Sequence, residues 1–178
     1  MEILTVNEAT VILDDKGGGA GKIIIASDWG YNFSSYWGSM GGDLNSFICD
    51  VNAEYFADRL IGHDERDVLD IKATMTAVRK AWADLLPWYI QKDVQKGIRE
   101  EFNRIQRNVE TKEHFVHEMT KLGDQYGDKR MYDPDIYFSM ESLTTEPWNL
   151  ITTAASHKLC WLRRFHKDLV KAIKAQKK

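Results

Sequence analysis

The chain has 178 residues, of which 43% are hydrophobic and 29% charged, and its formal net charge at pH 7 is −3. These values exclude a disordered or collagen-like chain, and the length allows a core that needs no disulfide or structural metal. We therefore expect one soluble domain over residues 1–178, with a β-rich part at 1–42 and a helical part at 43–178.

Membrane and redox chemistry are not indicated. No run reaches the roughly 20 apolar residues that cross a bilayer, and acidic Glu2 stands where a secretory signal would be basic. Cys49 and Cys160 are far apart, and each falls in an amphipathic helical pattern. We therefore predict a cytoplasmic protein with two reduced thiols, no membrane contact and no cofactor.

Short β-branched and aromatic runs at the N-terminus predict three or four strands of an antiparallel meander. The runs are 2–6, 10–13, 23–26 and 31–37. The glycine-rich stretch 14–22 predicts a hairpin loop between the second and third runs. In the last run the side chains alternate, so we expect one face to be buried and the other exposed to water.

Apolar residues at three- and four-residue spacing predict helices through most of the remainder. Asp43 or Asn45 can cap the first helix, and Asn52 can restart it after a kink. Further helices are predicted at Glu65–Leu86, at Trp88–Asn108, at Thr111–Leu122 and from Thr145–Pro147 to the basic terminus. Residues 123–134 predict a loop, and 135–140 a brief strand or an irregular arm.

Together these elements predict an α+β fold in which the meander packs against a mostly helical C-terminal two-thirds. The glycine stretch does not match a phosphate-binding loop, because Ile23 stands where Ser or Thr is required and a β run follows. His114 and His117 lie three residues apart without a third ligand at a telling spacing, so no metal site is predicted. No catalytic constellation is recognisable.

Aromatic residues crowd the segment before the first helix. Five of them, Trp29, Tyr31, Phe33, Tyr36 and Trp37, fall within nine residues. Tyr and Trp are favoured in interface cores because they bury area and keep a polar handle. We therefore predict a partner-binding surface formed by Asp28, Trp29, Tyr31, Tyr36 and Trp37. The alternative is that helices of the same chain cover these side chains.

The charge is unevenly distributed, at −6 for residues 1–62, −4 for 63–150 and +7 for 151–178. The basic end can bind a polyanion such as nucleic acid, and it can equally pair with the protein's own acidic surface. The candidate polyanion-binding residues are Arg163, Arg164, Lys167, Lys171 and Lys174.

Residues 26–60 resemble a segment of small bacteriophage and prophage accessory proteins, in which an aromatic strand ending in W-G-x-x-G precedes a helix of the form Fxxx(N)xxYFxxxL. The matching residues are Trp37, Gly38, Gly41, Phe47, Asn52, Tyr55, Phe56 and Leu60. The resemblance implies a phage context. Proteins of this kind and size are often non-catalytic binders of host machinery, including inhibitors of bacterial defence such as anti-CRISPR proteins.

Three functions follow as hypotheses. The leading one is a non-enzymatic phage accessory protein that binds a bacterial host protein or complex through the aromatic segment and the acidic surface, in part by mimicking nucleic-acid charge. The second is a nucleic-acid-binding regulator that uses the basic terminal helix. The third is an enzyme whose site is dispersed along the chain, for which a deep polar pocket with convergent titratable groups would be diagnostic. The sequence leaves the oligomeric state open.

Overall fold

The computed structural model describes residues 1–85, 92–126 and 134–176. The chain divides into two compact units: unit 1 comprises residues 1–67 and 155–178, and unit 2 comprises residues 68–154. These boundaries differ from the β-rich 1–42 and helical 43–178 parts expected from the sequence, because helices on both sides of unit 2 in the chain pack on the N-terminal strands.

Unit 1 is built on a four-stranded antiparallel sheet in the order β1-β2-β3-β4, which confirms the predicted meander. The strands are β1 Glu2–Val6, β2 Ala9–Gly17, β3 Ala20–Ser27 and β4 Asn32–Trp37. Side chains alternate between a buried and an exposed face along each strand, as the two-residue period requires. In β4, Phe33 and Trp37 point to the core, whereas Asn32, Ser34 and Tyr36 face outwards.

The hairpin between β2 and β3 is also confirmed, with its turn at Gly17, Gly18 and Gly19, which all have positive φ angles. Asp15 fixes the hairpin to the helix that follows the sheet. Its carboxylate accepts the backbone N–H of Gly17 at 2.8 Å and that of Leu44 at 2.9 Å. These two bonds, led by the one from Leu44, lower the pKa of Asp15.

The helices of unit 1 are α1 Leu44–Asp50, α2 Ala53–Leu60, the single turn α3 His63–Arg66 and the terminal α8 His157–Gln176. The predicted caps are present. Asp43 accepts the N–H of Ser46 at 2.9 Å, and Asn52 accepts that of Tyr55 at 2.8 Å. Val51 and Asn52 both have extended backbone, and Asn52 caps a new helix, which explains why residues 44–60 form two short helices and not one.

The core of unit 1 lies between the inner sheet face and helices α1, α2 and α8. It contains Val11, Ile23 and Ile25 from the sheet, all fully buried, together with Ile48 and Phe56 from α1 and α2. The apolar side of α8 completes it with Leu159, Leu162, Phe165, Leu169 and Ile173. The C-terminal helix is therefore an integral part of the sheet's core.

Unit 2 contains helices α4 Ile71–Leu85, α5 Lys92–Asn108, α6 Lys112–Tyr126 and α7 Pro134–Thr144, followed by a 3-10 helix, Pro147–Leu150. Its core is a helical one and includes Met75, Ile98, Phe102, Phe115 and Met119. Strands β5 Asp67–Leu69 and β6 Thr153–Ala155 pair as a two-stranded sheet.

Two helix predictions differ from the structure. The spacing predicts one helix over Glu65–Leu86, but in the structure α3 and β5 precede α4. Asp70 accepts the N–H of Ala73 at 2.9 Å and so begins a new helix there. The terminal helix begins at His157, after a 3-10 helix and β6, and not at Thr145. Ser156 caps it by accepting the N–H of Leu159 at 3.2 Å.

The prediction for residues 135–140 is wrong, because this stretch belongs to α7. Ile136, Met140 and Leu143 are buried at helical spacing in the core of unit 2. The apolar pattern of this segment is too short to predict a helix, and its packing against the other helices stabilises the helical conformation. Helix α6 continues to Tyr126, past the predicted end at Leu122. The rest of the predicted 123–134 loop, at 127–133, and the beginning of the predicted Trp88–Asn108 helix, at 88–91, lie outside the described residues.

A buried histidine on α8 contacts both short helices of unit 1, α1 and α2. His166 on α8 lies 4.6 Å from the ring of Phe56 and, through Nε2, 2.9 Å from the carbonyl oxygen of Ile48. Burial lowers the pKa of His166 below its ordinary 6.5, although the bond to Ile48 opposes the shift. The neutral imidazole is thus the form that the folded state favours.

We expect the free energy of unfolding to fall as the pH drops through about 6.5, because the unfolded chain then binds a proton that the folded His166 resists. His166→Gln retains an N–H donor and does not titrate. Urea unfolding from pH 5 to pH 8 should therefore show a smaller pH dependence for the variant than for the wild type. Equal slopes would mean that His166 is not responsible.

Close packing of α6 and α7 gives a second prediction. A Cβ atom at Gly123 would approach the Cβ of Thr144 to 2.9 Å and its hydroxyl oxygen more closely still. We expect Gly123→Ala to lower the free energy of unfolding by about 1–3 kcal/mol, as overpacking does. Gly42→Ala is the control, since no atom lies within 4 Å of its added methyl group. Urea unfolding of both variants tests this, and equal costs would contradict it.

Candidate functional site

The aromatic residues that the sequence singles out lie in different environments. Trp37 is only 4% exposed and packs on Phe47 with the ring centres 5.5 Å apart, so it belongs to the core. Tyr31 is half-buried. Trp29 and Tyr36 are 70% and 55% exposed. We therefore leave Trp37 out of the surface described below.

Trp29 lies in the turn between β3 and β4, where a set of backbone bonds holds it. Ser27 N–H donates to the carbonyl of Tyr31 at 2.8 Å, and Gly30 N–H to that of Ser27 at 3.0 Å. Gly30 has a φ of 80°, which favours glycine at this point of the turn. The N–H of Asp28 donates to the carbonyl of Glu8 at 2.8 Å. This last bond joins the turn to the neighbouring β1–β2 turn.

Trp29 itself makes two further hydrogen bonds. Its indole Nε1–H donates to the carboxylate of Glu8 and so restrains the side chain. Its backbone N–H donates to the hydroxyl oxygen of Ser27 at 3.2 Å. A large aromatic side chain is therefore mostly exposed and yet restrained. Such a residue loses little conformational entropy when another surface packs on it.

Opposite Trp29, helix α8 contributes a stacked aromatic wall. Trp161 lies 4.6 Å from Phe165 at an interplanar angle of 14° and 5.8 Å from Phe33 at 20°. Tyr31 meets the Trp161 ring nearly edge-on at 6.0 Å. Offset and edge-to-face arrangements of this kind stabilise aromatic clusters. The wall is thus tied to the core of unit 1.

Between the turn and the wall lies a small cavity of about 110 Å³. We call it the tryptophan notch. It is lined by Asn7, Glu8, Trp29, Trp161, Arg164, Phe165 and Asp168. Its lining combines three aromatic side chains with two carboxylates and one guanidinium. We call the charged side chains of the lining, Glu8, Arg164 and Asp168, the rim.

Hydrogen bonds from two side chains fix the Asp168 carboxylate of the rim. Asn7, in the left-handed region at φ 52°, donates through Nδ2 to Asp168 at 3.1 Å, and Lys171 donates to the other oxygen of Asp168 at 2.9 Å. Lys171 and then Asn7 lower the pKa of Asp168, so this carboxylate stays ionised near neutral pH. Arg164 is exposed and makes no ion pair within the described part of the chain.

The basic residues of α8 fall into two groups. Arg163 pairs with Glu54 at 2.5 Å and Lys171 with Asp168 at 2.9 Å, and Lys158 likewise pairs with Glu65 at 2.5 Å. Part of the terminal charge is therefore neutralised inside unit 1, as one reading of the sequence allowed. Arg164, Lys167 and Lys174 are exposed and have no ion-pair partner among the described residues.

Tyr36 lies elsewhere, on the outer face of the sheet, in register with Lys22 of β3. The same face carries the cross-strand row of exposed Ile3 and half-buried Ile12 and Ile24.

Two of the predicted site residues, Trp29 and Arg164, line the notch. Three others lie beside it: Asp28 precedes Trp29, Tyr31 packs on Trp161 and Lys171 pairs with Asp168. The sequence did not reveal Asn7, Glu8, Trp161, Phe165 or Asp168 as neighbours, because nothing in its pattern fixes where α8 lies against the sheet.

The histidine pair and the two cysteines, which the sequence also offers as candidates for chemistry, do not form a metal site or a disulfide within the described residues. Among residues 1–85, 92–126 and 134–176, no group of three or more His, Cys, Asp or Glu side chains is arranged to hold a metal ion. Glu118, next to the His114 and His117 pair, bonds Arg104 at 2.6 Å, which lowers the pKa of Glu118. Cys49 and Cys160 are not joined by a disulfide. No helix within the described ranges has both the length and the apolar character that a bilayer span requires.

Comparison with known proteins identifies the origin of the chain. The model of a phage protein family matches residues 2–175. The chain belongs to this phage family. The match confirms the phage context that the resemblance over residues 26–60 implied. No curated protein and no solved structure matches the chain.

The two walls of the notch should contribute unequally to stability. We expect Trp161→Ala to lower the free energy of unfolding by about 3 kcal/mol, because it removes a packed ring from the aromatic wall. Trp29→Ala should lower it by less than about 1 kcal/mol, since most of that ring is exposed. Urea unfolding of both variants makes the comparison. An equal loss would show that Trp29 is a structural residue.

Proposed function

We propose that this phage protein is a non-catalytic accessory protein that binds a bacterial host protein or complex through the tryptophan notch and the adjoining acidic turn residue Asp28. In its most specific form, the proposal is that binding inhibits a host defence system, as anti-CRISPR proteins do. The protein would act in the cytoplasm of the infected cell.

One observation carries the proposal: Trp29 is 70% exposed and is nevertheless held by Glu8 and by the backbone of its turn. An isolated exposed apolar side chain is common and needs no explanation. A restrained, exposed tryptophan beside a cavity is the type of residue that dominates binding energy at protein interfaces. Glu8 and Asp28 surround it with the charged rim that such anchors usually have.

A second candidate function, nucleic-acid binding, is favoured by a different observation. Arg164, Lys167 and Lys174 lie on α8 without an ion pair in the described part of the chain, and the first of them lines the notch. Aromatic side chains beside free cations can stack bases and contact phosphates. Against this reading, Glu8 and Asp168 lie on the same rim, and carboxylates repel a phosphate backbone.

Affinity capture from bacterial lysate tests the leading proposal. We expect the tagged protein to retain a stoichiometric host protein after nuclease treatment, and Trp29→Ala to lose most of it, because an anchor residue is worth at least about 2 kcal/mol. Trp148→Ala is the matched control, since Trp148 is 53% exposed and lies outside the notch. Mass spectrometry and size-exclusion chromatography measure the captured partner.

Retention of the partner by Trp29→Ala, or an equal loss with Trp148→Ala, would rule out the notch as the binding surface. Recovery of nucleic acid alone would favour the second function. In that case Arg164→Glu combined with Lys167→Glu should abolish binding, and the affinity of the wild type should fall steeply with salt. Arg163 is unsuitable for this test, because its substitution also breaks the pair with Glu54.

A further inference from the structure

The size of the tryptophan notch limits what can enter it. Its volume of about 110 Å³ is well below the roughly 300–1,000 Å³ of typical small-molecule and cofactor sites. One side chain of a partner protein fits this space better than a nucleotide or a cofactor does. The occupant must also suit the aromatic part of the lining, formed by Trp29, Trp161 and Phe165.

The charges at the notch favour a positive guest. Glu8 and Asp168 line it, and Asp28 is exposed one residue before Trp29. Only one oxygen of Glu8 receives the Trp29 indole, so its other oxygen can accept a bond from the guest. A cation over the face of a tryptophan is attracted by the ring, and a carboxylate adds a charge-assisted hydrogen bond.

Two positive side chains of the protein itself, Arg164 and Lys171, repel a positive guest. Arg164 lines the notch, and Lys171 pairs with Asp168 on the rim. Lys171 and Asp168 offset each other as an ion pair, and the two remaining carboxylates, Glu8 and Asp28, outnumber Arg164. A carboxylate guest would meet Arg164 but also Glu8 and Asp28, so a positive guest is favoured over a negative one.

We propose that the tryptophan notch receives an arginine or lysine side chain from a basic surface of the partner, with the cation beside the Trp29 ring and the Glu8 carboxylate. This inference rests on the proposed function and specifies the chemistry of the partner. A host protein that itself binds nucleic acid would offer such a surface.

The test uses the full chain, labelled with ¹⁵N, and three short peptides that differ at one position. The peptides are acetyl-Gly-Arg-Gly-amide, its neutral isostere with citrulline in place of arginine, and its analogue with glutamate. Indole N–H signals report binding, and the Trp29 signal is identified by its loss in Trp29→Ala. Deoxyadenosine monophosphate is a fourth probe, which represents nucleic acid.

We expect the arginine peptide to shift the Trp29 signal saturably, with an affinity at least about fivefold higher than that of the citrulline peptide. Glu8→Gln should weaken binding by about threefold or more, because it removes the charge but keeps an acceptor for the indole. Asp64→Asn is the control, since Asp64 is an exposed acid elsewhere in unit 1. Circular dichroism verifies that the variants fold.

Equal binding of the arginine and citrulline peptides would overturn the inference. So would preferential binding of the glutamate peptide or of the nucleotide, an unchanged affinity in Glu8→Gln, or the absence of a shift at peptide concentrations up to about 10 mM. The proposed function fails separately, when lysate capture yields no host protein that depends on Trp29. A partner that is captured through Trp29 while the peptides fail would retain the function and refute the charge preference.

Discussion

The packing of helix α8 on the inner face of the four-stranded sheet is the contact on which unit 1 depends. Without α8, the sheet would expose the apolar row that includes Val11, Ile23 and Ile25, which are now fully buried. Helices α1 and α2 are short and cover only part of that face. The same contact places Trp161, Arg164 and Asp168 beside the β-turns, so the notch arises as a by-product of closing the core.

Much of this architecture could be predicted from the sequence, because its determinants are local. Alternating β-branched and aromatic residues specify strands, and three consecutive glycines specify the hairpin turn. Asp43 and Asn52 specify helix starts, since capping needs only a short side chain and the next turn of backbone. The buried helices of unit 2 were recognisable from their period, apart from α7.

The candidate site was predictable only in part, because it depends on contacts across the whole chain. Trp29 and Arg164 stood out by composition, but Asn7 and Asp168 are 161 residues apart and are joined only by the fold. Trp37 shows the opposite case. It belongs to the same aromatic run as Trp29 and follows the exposed Tyr36 in β4, and one step of strand alternation buries it, so residue type alone could not separate core from surface.

The order of the two units along the chain affects how the protein forms. Unit 2 is continuous, whereas unit 1 is split, with residues 68–154 inserted between its two parts. During synthesis, the helices of unit 2 can pack as soon as they leave the ribosome, but the sheet must wait for the last helix to emerge before its apolar face is covered. The unit that carries the notch therefore completes its core only after the whole of unit 2 has been synthesised, because α8 follows unit 2 in the chain.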